Sequence, residues 1–255
     1  MKILAIETSG ESGGIALAQE GRLLDQNSTL AGRTQSRDLM PCIDRTLRSQ
    51  GWAPGDLELV AVGRGPGSHN GVRVAITTAK VIAYGLKIPL VAIDSMDARA
   101  HGIDTPTDTH LIAVVDARRK NLFVAHFHTS ATPGAPPLRK SENRVLSQYD
   151  FVESLRATEH PVYLVGDGIG CCQEALLELP HISLISRDKD SPTPESVLRL
   201  ALDAYCYESW DERSGHQVAR DNDIHSVMPI YLLRTEAEER ADTTQLLPSS
   251  NKTES

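Results

Sequence analysis

The chain has 255 residues, of which 40% are hydrophobic and 24% are charged, and its formal net charge at pH 7 is −8. This composition predicts a soluble globular protein with a substantial core, and its acidity argues against a stand-alone nucleic-acid binder, because neutralising phosphates requires clustered Lys and Arg. No apolar run approaches the ~20 residues of a membrane-spanning helix, and an acid follows the first residues too soon for a signal peptide. We therefore expect a cytoplasmic protein with no membrane partner.

Hydrophobic patterning over the first part of the chain predicts a βββαβαβα unit. Three apolar runs joined by tight turns indicate a meander of strands. Apolar residues at helical spacing then predict two long helices, with Gly51 ending the first. The predicted elements are strands at 2–7, 15–18 and 22–28, a helix at 36–50, a strand at 57–62, a helix at 71–86, a strand at 90–93 and a helix from residue 95.

A polar, proline-containing break at 102–109 indicates a domain boundary, after which the pattern restarts. The predicted elements of the second half are strands at 111–118, 122–128 and 138–146, a helix at 149–157, a strand at 162–165, a helix to residue 179, a strand at 182–185 and a long helix at 194–212. The repetition predicts two duplicated α/β lobes, residues 1–104 and 105–239, each with a mixed five-stranded sheet. The long helix near 194–212 is free to pack back on the first lobe, and the polar residues 240–255 are expected to be disordered.

A glycine-dense turn follows the predicted strand at 57–62. It contains Gly63, Gly65, Pro66, Gly67, Ser68 and Gly71. Because each glycine costs conformational entropy, this density predicts that something approaches the backbone closely. Ser68 is expected to cap the following helix rather than act as a nucleophile, because Ser68-His69 does not fit the GxSxG elbow, and no catalytic residue is predicted.

The helix at 71–86 carries only two charges, Arg73 and Lys80, and is apolar on more sides than one sheet requires. Either the helix is sandwiched inside the monomer, or it forms a protein interface together with the helix at 36–50. On the second interpretation, a charge at Ile76 or Ile43 would abolish association and leave a folded monomer. The predicted interface residues are Leu39, Met40, Ile43, Leu47, Val72, Ala75, Ile76, Ala79 and Ala83.

Metal and redox chemistry are not predicted. The cysteines Cys42, Cys171, Cys172 and Cys206 show no CxxC spacing. His126 and His128 lie two apart on a predicted strand and so share a side of it, but no third ligand is evident nearby in the sequence.

Several motifs resemble, in this order, those of the TsaB (YeaZ) family of bacterial tRNA threonylcarbamoyladenosine biosynthesis proteins. They are ILAIETS, GRGPGS followed by GVR, VVDARR, VGDG and PIYLLRTE, and the resemblance runs from residue 1 to about residue 239. It implies two actin-like (ribonuclease H-like) lobes, as in actin, Hsp70 and sugar kinases. It also implies a non-catalytic partner of TsaD, which transfers a threonylcarbamoyl group from threonylcarbamoyl-AMP to the adenosine beside the tRNA anticodon.

Further partners follow from the same resemblance. A TsaE-type ATPase joins the complex, tRNA is reached only through the complex, and the chain forms a homodimer when TsaD is absent. The chain departs from the family's pattern at two places. Residues 35–41 lack the histidine of many TsaB sequences and the two metal-binding histidines of TsaD, and His69-Asn70 replaces the usual Phe-Thr.

Nucleotide-binding members of this superfamily place phosphate loops where this chain has two sets of residues. The first set is Glu7, Thr8, Ser9 and Gly10, and the second is Asp116, Gly166, Asp167 and Gly168. The chain has no GxxxxGK[ST] element, and an acid at Glu7 repels phosphate, so we interpret both sets as vestigial and expect no cofactor beyond weak nucleotide binding. Two alternatives remain: an independent actin-fold ATPase or kinase resting on these residues, or a peptidase resting on Ser68 or a metal.

Overall fold

The computed structural model of the chain describes residues 1–31, 35–101, 103, 105–132, 135–186, 190–207 and 216–232. The elements of the first half are β1 (Lys2–Glu7), β2 (Ser12–Gln19), β3 (Arg22–Ala31), α1 (Gln35–Ser49), β4 (Leu59–Gly63), α2 (His69–Leu86), β5 (Leu90–Ile93) and α3 (Ser95–Ala100). Those of the second half are β6 (His110–Arg118), β7 (Asn121–His128), β8 (Leu138–Arg139), β9 (Arg144–Ser147), α4 (Gln148–Arg156), β10 (Val162–Val165), α5 (Gln173–Leu177), β11 (Ile182–Leu184), α6 (Pro194–Tyr207) and β12 (Gln217–Ala219).

The two halves repeat one sheet topology. The first sheet has the order β12-β5-β4-β1-β2-β3, and the second has the order β11-β10-β6-β7-β8, with β9 also paired to β7. In each half the first strand pairs antiparallel with the second. Two later strands then extend the sheet in parallel from the first strand, β4 and β5 in the first half and β10 and β11 in the second. The chain therefore has the predicted duplicated actin-like α/β fold.

The first sheet is buried on both sides. Along β1, Leu4 and Ile6 pack on one side against α1 and α2, whereas Ile3 and Ala5 pack on the other side against α6. A strand that is covered on both sides has a nearly continuous run of apolar residues, as β1 does. The helix α6 comes from the second half of the chain, so the first core is closed by a distant segment.

The second sheet is also covered on both sides. Val114 and Val124 pack with Phe151 of α4 on one side, and Val115 and Phe127 pack on the other side with residues of α3. The short helix α3 contributes Ala98 to the core of the first sheet and Met96 and Ala100 to that of the second. It is therefore the joint between the two sheets.

Three sequence expectations are corrected. The strand predicted at 138–146 is two short strands, β8 and β9, both paired with β7. The helix predicted to reach residue 179 is a 3₁₀ turn at Asp167–Cys171 followed by α5. The first sheet gains a sixth strand, β12, which pairs antiparallel with β5. The predicted boundary near 104 and tail at 240–255 stay predictions, and 208–212 and 233–255 lie outside the described residues.

A buried ion-pair network joins α3 to the second half of the chain. Arg139 Nη2 lies 3.2 Å from Asp94 Oδ2 and 2.7 Å from Asp97 Oδ2. His216 Nε2 lies 3.2 Å from the same oxygen of Asp97, and Asn143 Nδ2 donates to Asp94 Oδ2 at 2.5 Å. Burial raises the pKa of Asp94 to about 6, while the guanidinium of Arg139 opposes that rise. The contact between the two sheets thus includes a carboxyl group whose ionised form is destabilised by burial.

We expect Asp94 to make stability depend on pH. Because its folded pKa lies above the unfolded value of 3.8, the free energy of unfolding should fall as the pH rises from about 4 to about 6, by up to about 3 kcal/mol. Asp94→Asn keeps a side-chain oxygen that can accept the hydrogen bond from the N–H of Met96 at the start of α3. Because asparagine does not titrate, the fall in the free energy of unfolding between pH 4 and 6 that is due to Asp94 should disappear in this variant. Urea denaturation of the wild type and the variant between pH 4 and 7 measures how the free energy of unfolding depends on pH. The same pH dependence in both proteins would contradict the raised pKa of Asp94.

Candidate functional site

The glycine-rich turn packs against the loop that follows β1. A Cβ atom on Gly63 would overlap the carboxylate of Glu7, and one on Gly67 would overlap the backbone of Ser9. The N–H of Ser68 donates to Ser9 O at 2.7 Å, and Thr8 Oγ1 donates to Gly71 O at 2.7 Å. In the described structure, the close approach that the glycine density indicates is therefore made by the chain's own loop.

The turn also anchors the start of α2 and of α3. Ser68 Oγ accepts a hydrogen bond from the N–H of Gly71 at 3.3 Å, which confirms the predicted helix cap. The Gly65–Pro66 peptide bond is cis. Gly65 exchanges two hydrogen bonds with Ser95, since its N–H donates to Ser95 Oγ at 3.0 Å and its carbonyl accepts from Ser95 N at 2.8 Å. The turn therefore fixes α2 relative to α3.

Glu7 and Arg99 form the centre of a buried polar cluster between the two sheets. Glu7 Oε1 accepts from Ser9 N at 2.6 Å and Oε2 from Ser95 Oγ at 2.9 Å, and burial raises the pKa of this carboxyl. Arg99 Nη1 lies 3.7 Å from Asp167 Oδ1 across the two halves. Burial lowers the pKa of Arg99, and the carboxylates of Asp167, Glu7 and Asp190 oppose that shift.

Most of the residues interpreted as vestigial phosphate loops meet at this cluster. Gly166 has a φ of 123° and fits against the carbonyl of Val114, where no side chain could be placed. Its N–H donates to Asp190 Oδ1 at 3.2 Å, and the N–H of Ser9 is bound by Glu7. Two amides that a phosphate would need are thus bound by carboxylates of the chain itself. Gly168 packs against Val114 and Val115 of β6, and Asp116 lies near the end of the same strand, paired with Arg118 at 2.9 Å.

The predicted interface residues are corrected by their burial. All of them except Met40 are buried in the core of the monomer, against the first sheet. They are Leu39, Ile43, Leu47, Val72, Ala75, Ile76, Ala79 and Ala83. The physical reason is that one side of β1, β2 and β4 is fully apolar, and the stripes of α1 and α2 cover it. A charge at Ile76 or Ile43 would therefore disrupt the fold and would not selectively abolish association.

The solvent-facing side of α2 is a different set of residues. Arg73, Thr77, Val81 and Tyr84 recur every three or four positions and are exposed, and we call them the outer row of α2. Val81 is 67% exposed and Tyr84 is 58% exposed. The helix contains no acidic residue. Large exposed apolar side chains on one helix side are typical of a protein-binding surface.

The C-terminal segment borders the outer row. After β12, a 3₁₀ turn at Asp221–Ser226 packs on α2, where Lys80 Nζ donates to His225 O at 3.0 Å. The rings of Tyr84 and His225 lie 5.3 Å apart, and His69 stacks on Tyr231 with ring centroids 5.2 Å apart. The sequence analysis missed this contact because β12 is only three residues long. The exposed side chains of Met228 and Tyr231 extend the apolar surface.

Two histidine side chains of the second sheet lie next to each other. His110 lies opposite His128 on β6 and β7, with ring centroids 5.5 Å apart. Even so, among the described residues no group of three or more His, Cys, Asp or Glu side chains is arranged to hold a metal ion. None of the helices in the described ranges is long and apolar enough to cross a membrane.

Comparisons with known proteins point to one group of relatives. Residues 28–136 match the family model of TsaD, tRNA N6-adenosine threonylcarbamoyltransferase. The tRNA threonylcarbamoyladenosine biosynthesis protein TsaB of Bacillus subtilis is 26% identical over 93% of this chain and 96% of its own length. TsaB of Haemophilus influenzae is 32% identical over 48% of this chain and 52% of its own. The structure of YeaZ from Pseudomonas aeruginosa has the same fold, with a TM-score of 0.72 and 24% identity over 91% of this chain and 99% of that one.

The two sides of α2 should respond differently to the same substitution. Ile76→Glu buries a carboxylate against the first sheet and should lower the free energy of unfolding by about 3 kcal/mol or more. Val81→Glu places the same group in solvent and should change that free energy by less than about 0.5 kcal/mol. Chemical denaturation followed by far-UV circular dichroism measures both variants. Equal losses would mean that the assignment of buried and exposed sides is wrong.

Proposed function

We propose that this chain, a member of the TsaB (YeaZ) family with a part in tRNA threonylcarbamoyladenosine biosynthesis, is the non-catalytic subunit that binds and activates a TsaD-type transferase. The observation that carries the proposal is the outer row of α2. It presents exposed apolar side chains without an acid, on a helix whose other side is fixed to the first sheet.

The geometry of the outer row suits a protein partner. Val81 and Tyr84 supply apolar and aromatic area, which dominates the free energy of protein interfaces, and Arg73 supplies a charge at the edge. The helix is anchored by the Ser68 cap and by the C-terminal segment, so little conformational entropy would be lost on binding. We infer that a homodimer through the same surface competes with the transferase, and that a TsaE-type ATPase joins the complex.

The buried cluster supports a role without chemistry of its own. The N–H groups of Ser9 and Gly166 are bound by Glu7 and Asp190, so a phosphate would have to displace two carboxylates. Ser68, on which a peptidase would depend, caps α2, and the neighbouring His69 ring stacks on Tyr231. We propose that nucleotide binding is weak and that no cofactor is required.

Activation then has to come from differential binding. A non-catalytic subunit accelerates its partner only if it binds the productive state more tightly than the idle state. The outer row would therefore contact a part of the transferase whose position differs between those states. The cluster around Glu7 and Arg99 would act as internal support that keeps α2 and α3 in place.

The proposal is tested by a charge on the outer row. Val81→Glu should weaken association with the TsaD-type subunit at least ~30-fold, because the carboxylate would be desolvated inside the interface. Threonylcarbamoylation of tRNA in the reconstituted system should fall with it. Sedimentation velocity measures the association, and transfer of labelled threonine to tRNA measures the activity.

The matched control is Leu177→Glu in α5, because Leu177 is 68% exposed on the other half of the chain. This variant should associate and support activity as the wild type does. The proposed function would be wrong if Val81→Glu bound the transferase unchanged. Tight ATP binding by the wild-type chain alone, measured by calorimetry, would instead favour an independent ATPase.

A further inference from the structure

The helix α2 carries arginine and lysine but no aspartate or glutamate. Arg73 and Lys80 are seven residues apart, close to two full turns, so their side chains leave the helix on nearly the same side. Lys87, the left-handed C-cap with a φ of 56°, continues this spacing at the end of the helix. We call these three residues the cationic edge of α2. Because Arg73 also belongs to the outer row, the cationic edge borders the exposed side chains of Val81 and Tyr84.

The cationic edge is not neutralised within its own helix. In α1, by contrast, Arg48 pairs with Asp44 four residues away at 3.0 Å. Such pairs need an acid on the same helix, and α2 has none. Arg73 and Lys87 are exposed, and neither forms an ion pair within the described part of the chain. Lys80 Nζ donates to a backbone carbonyl of the C-terminal segment, which leaves its positive charge in place.

The acids of the neighbouring elements do not pair with the cationic edge either. Two of these elements carry acids, α1 and the 3₁₀ turn at Asp221–Ser226, and both pack on α2. Asp38 and Asp44 of α1 are paired with arginines of that helix at 2.8 and 3.0 Å. Asp221 and Asp223 of the turn are exposed, and in the described structure they form no ion pair with the edge. The edge is therefore a row of cations that lacks an ion-pair partner within these residues.

Contact between two copies of α2 would bring like charges together. The helix supplies only cations, so an α2–α2 contact places the edges of both copies in one interface without an acid of the helix to balance them. Like charges repel, and this repulsion grows as an interface removes them from water. A partner with Asp or Glu opposite the edge would replace that repulsion with attraction. The edge therefore favours an acidic partner over a second copy of the chain.

We propose that the cationic edge selects the partner of α2. The partner's contacting surface is apolar opposite Val81 and Tyr84, and it carries Asp or Glu side chains opposite Arg73, Lys80 and Lys87. The inference rests on the proposed function, because this partner is the TsaD-type transferase. The outer row supplies most of the affinity, and the edge supplies the preference for the transferase over the homodimer.

Arg73→Glu tests the edge, because it should change the two associations in opposite directions. The substitution leaves two cations and one anion on the edge, and it places an acid near the start of α2, where the helix dipole favours it, so the fold should be kept. At low ionic strength, association with the transferase should weaken about tenfold, and homodimerisation of the chain alone should strengthen about threefold. Sedimentation velocity measures both associations, and far-UV circular dichroism checks the fold.

Two further variants separate the edge from the net charge. Lys87→Asn removes a charge at the other end of the edge and suits the left-handed φ of 56°, so it should shift both associations in the same directions by about twofold. Arg144→Glu repeats the charge change of Arg73→Glu at an exposed position in the second half and should leave both associations unchanged. If Arg144→Glu had the same effect as Arg73→Glu, the edge would be only a part of the net charge, and the inference would be overturned.

The inference and the proposed function can fail separately. If Val81→Glu weakens association with the transferase and Arg73→Glu does not, the edge does not select the partner and the proposed function stands. If Arg73→Glu weakens the homodimer as well, Arg73 is a general contact residue and the inference is wrong. If the wild-type chain does not join the transferase, the proposed function is wrong and the partner named here falls with it.

The salt dependence of the transferase complex decides the case in which the chain alone stays monomeric. Rising salt should weaken association of the wild type more than association of Arg73→Glu, because salt screens an attraction that the variant has lost. The same salt dependence in both proteins would overturn the inference.

Discussion

The first sheet is apolar on both sides, and the rest of the structure depends on covering both. One side is covered locally by α1 and α2, which follow the meander in sequence. The other side is covered by α6, so the chain must return from the second half before the first core is closed. Each large side chain buried in this way contributes roughly 1.5 to 3 kcal/mol, so neither layer could be left out. The return of the chain also places β12 beside β5 and the C-terminal segment beside α2.

Buried ion pairs at α3 connect the first half of the chain to the second. Arg139 bridges Asp94 and Asp97, and Arg99 faces Asp167, so the short helix is tied to the second half on two sides. A buried charge without its partner is costly, which makes such pairs specific for one relative placement of the two sheets. Carboxylates and guanidinium groups of the chain itself therefore lie between the two sheets.

The proposed function depends on a surface of the first half and not on this buried cluster. The outer row of α2 is apolar and free of acids, which suits a protein partner. The helix is held in place by its cap at Ser68 and by the hydrogen bond from Lys80 to the carbonyl of His225.

The sequence by itself determined the repeated pattern of strands and helices, the tight packing around the glycine-rich turn, and the Ser68 cap. These features depend on residues that are close together in the sequence, and the spacing of apolar residues there indicates whether a segment is a strand, a helix or a turn. The tertiary structure alone decided that Ile76 and Ala79 face the sheet and Val81 faces solvent, because hydrophobic periodicity does not say which apolar side is covered. It also decided the pairing of Arg99 with Asp167 and the addition of β12 to the first sheet. These contacts join residues far apart in the chain, and such pairs leave no periodic signal in the sequence.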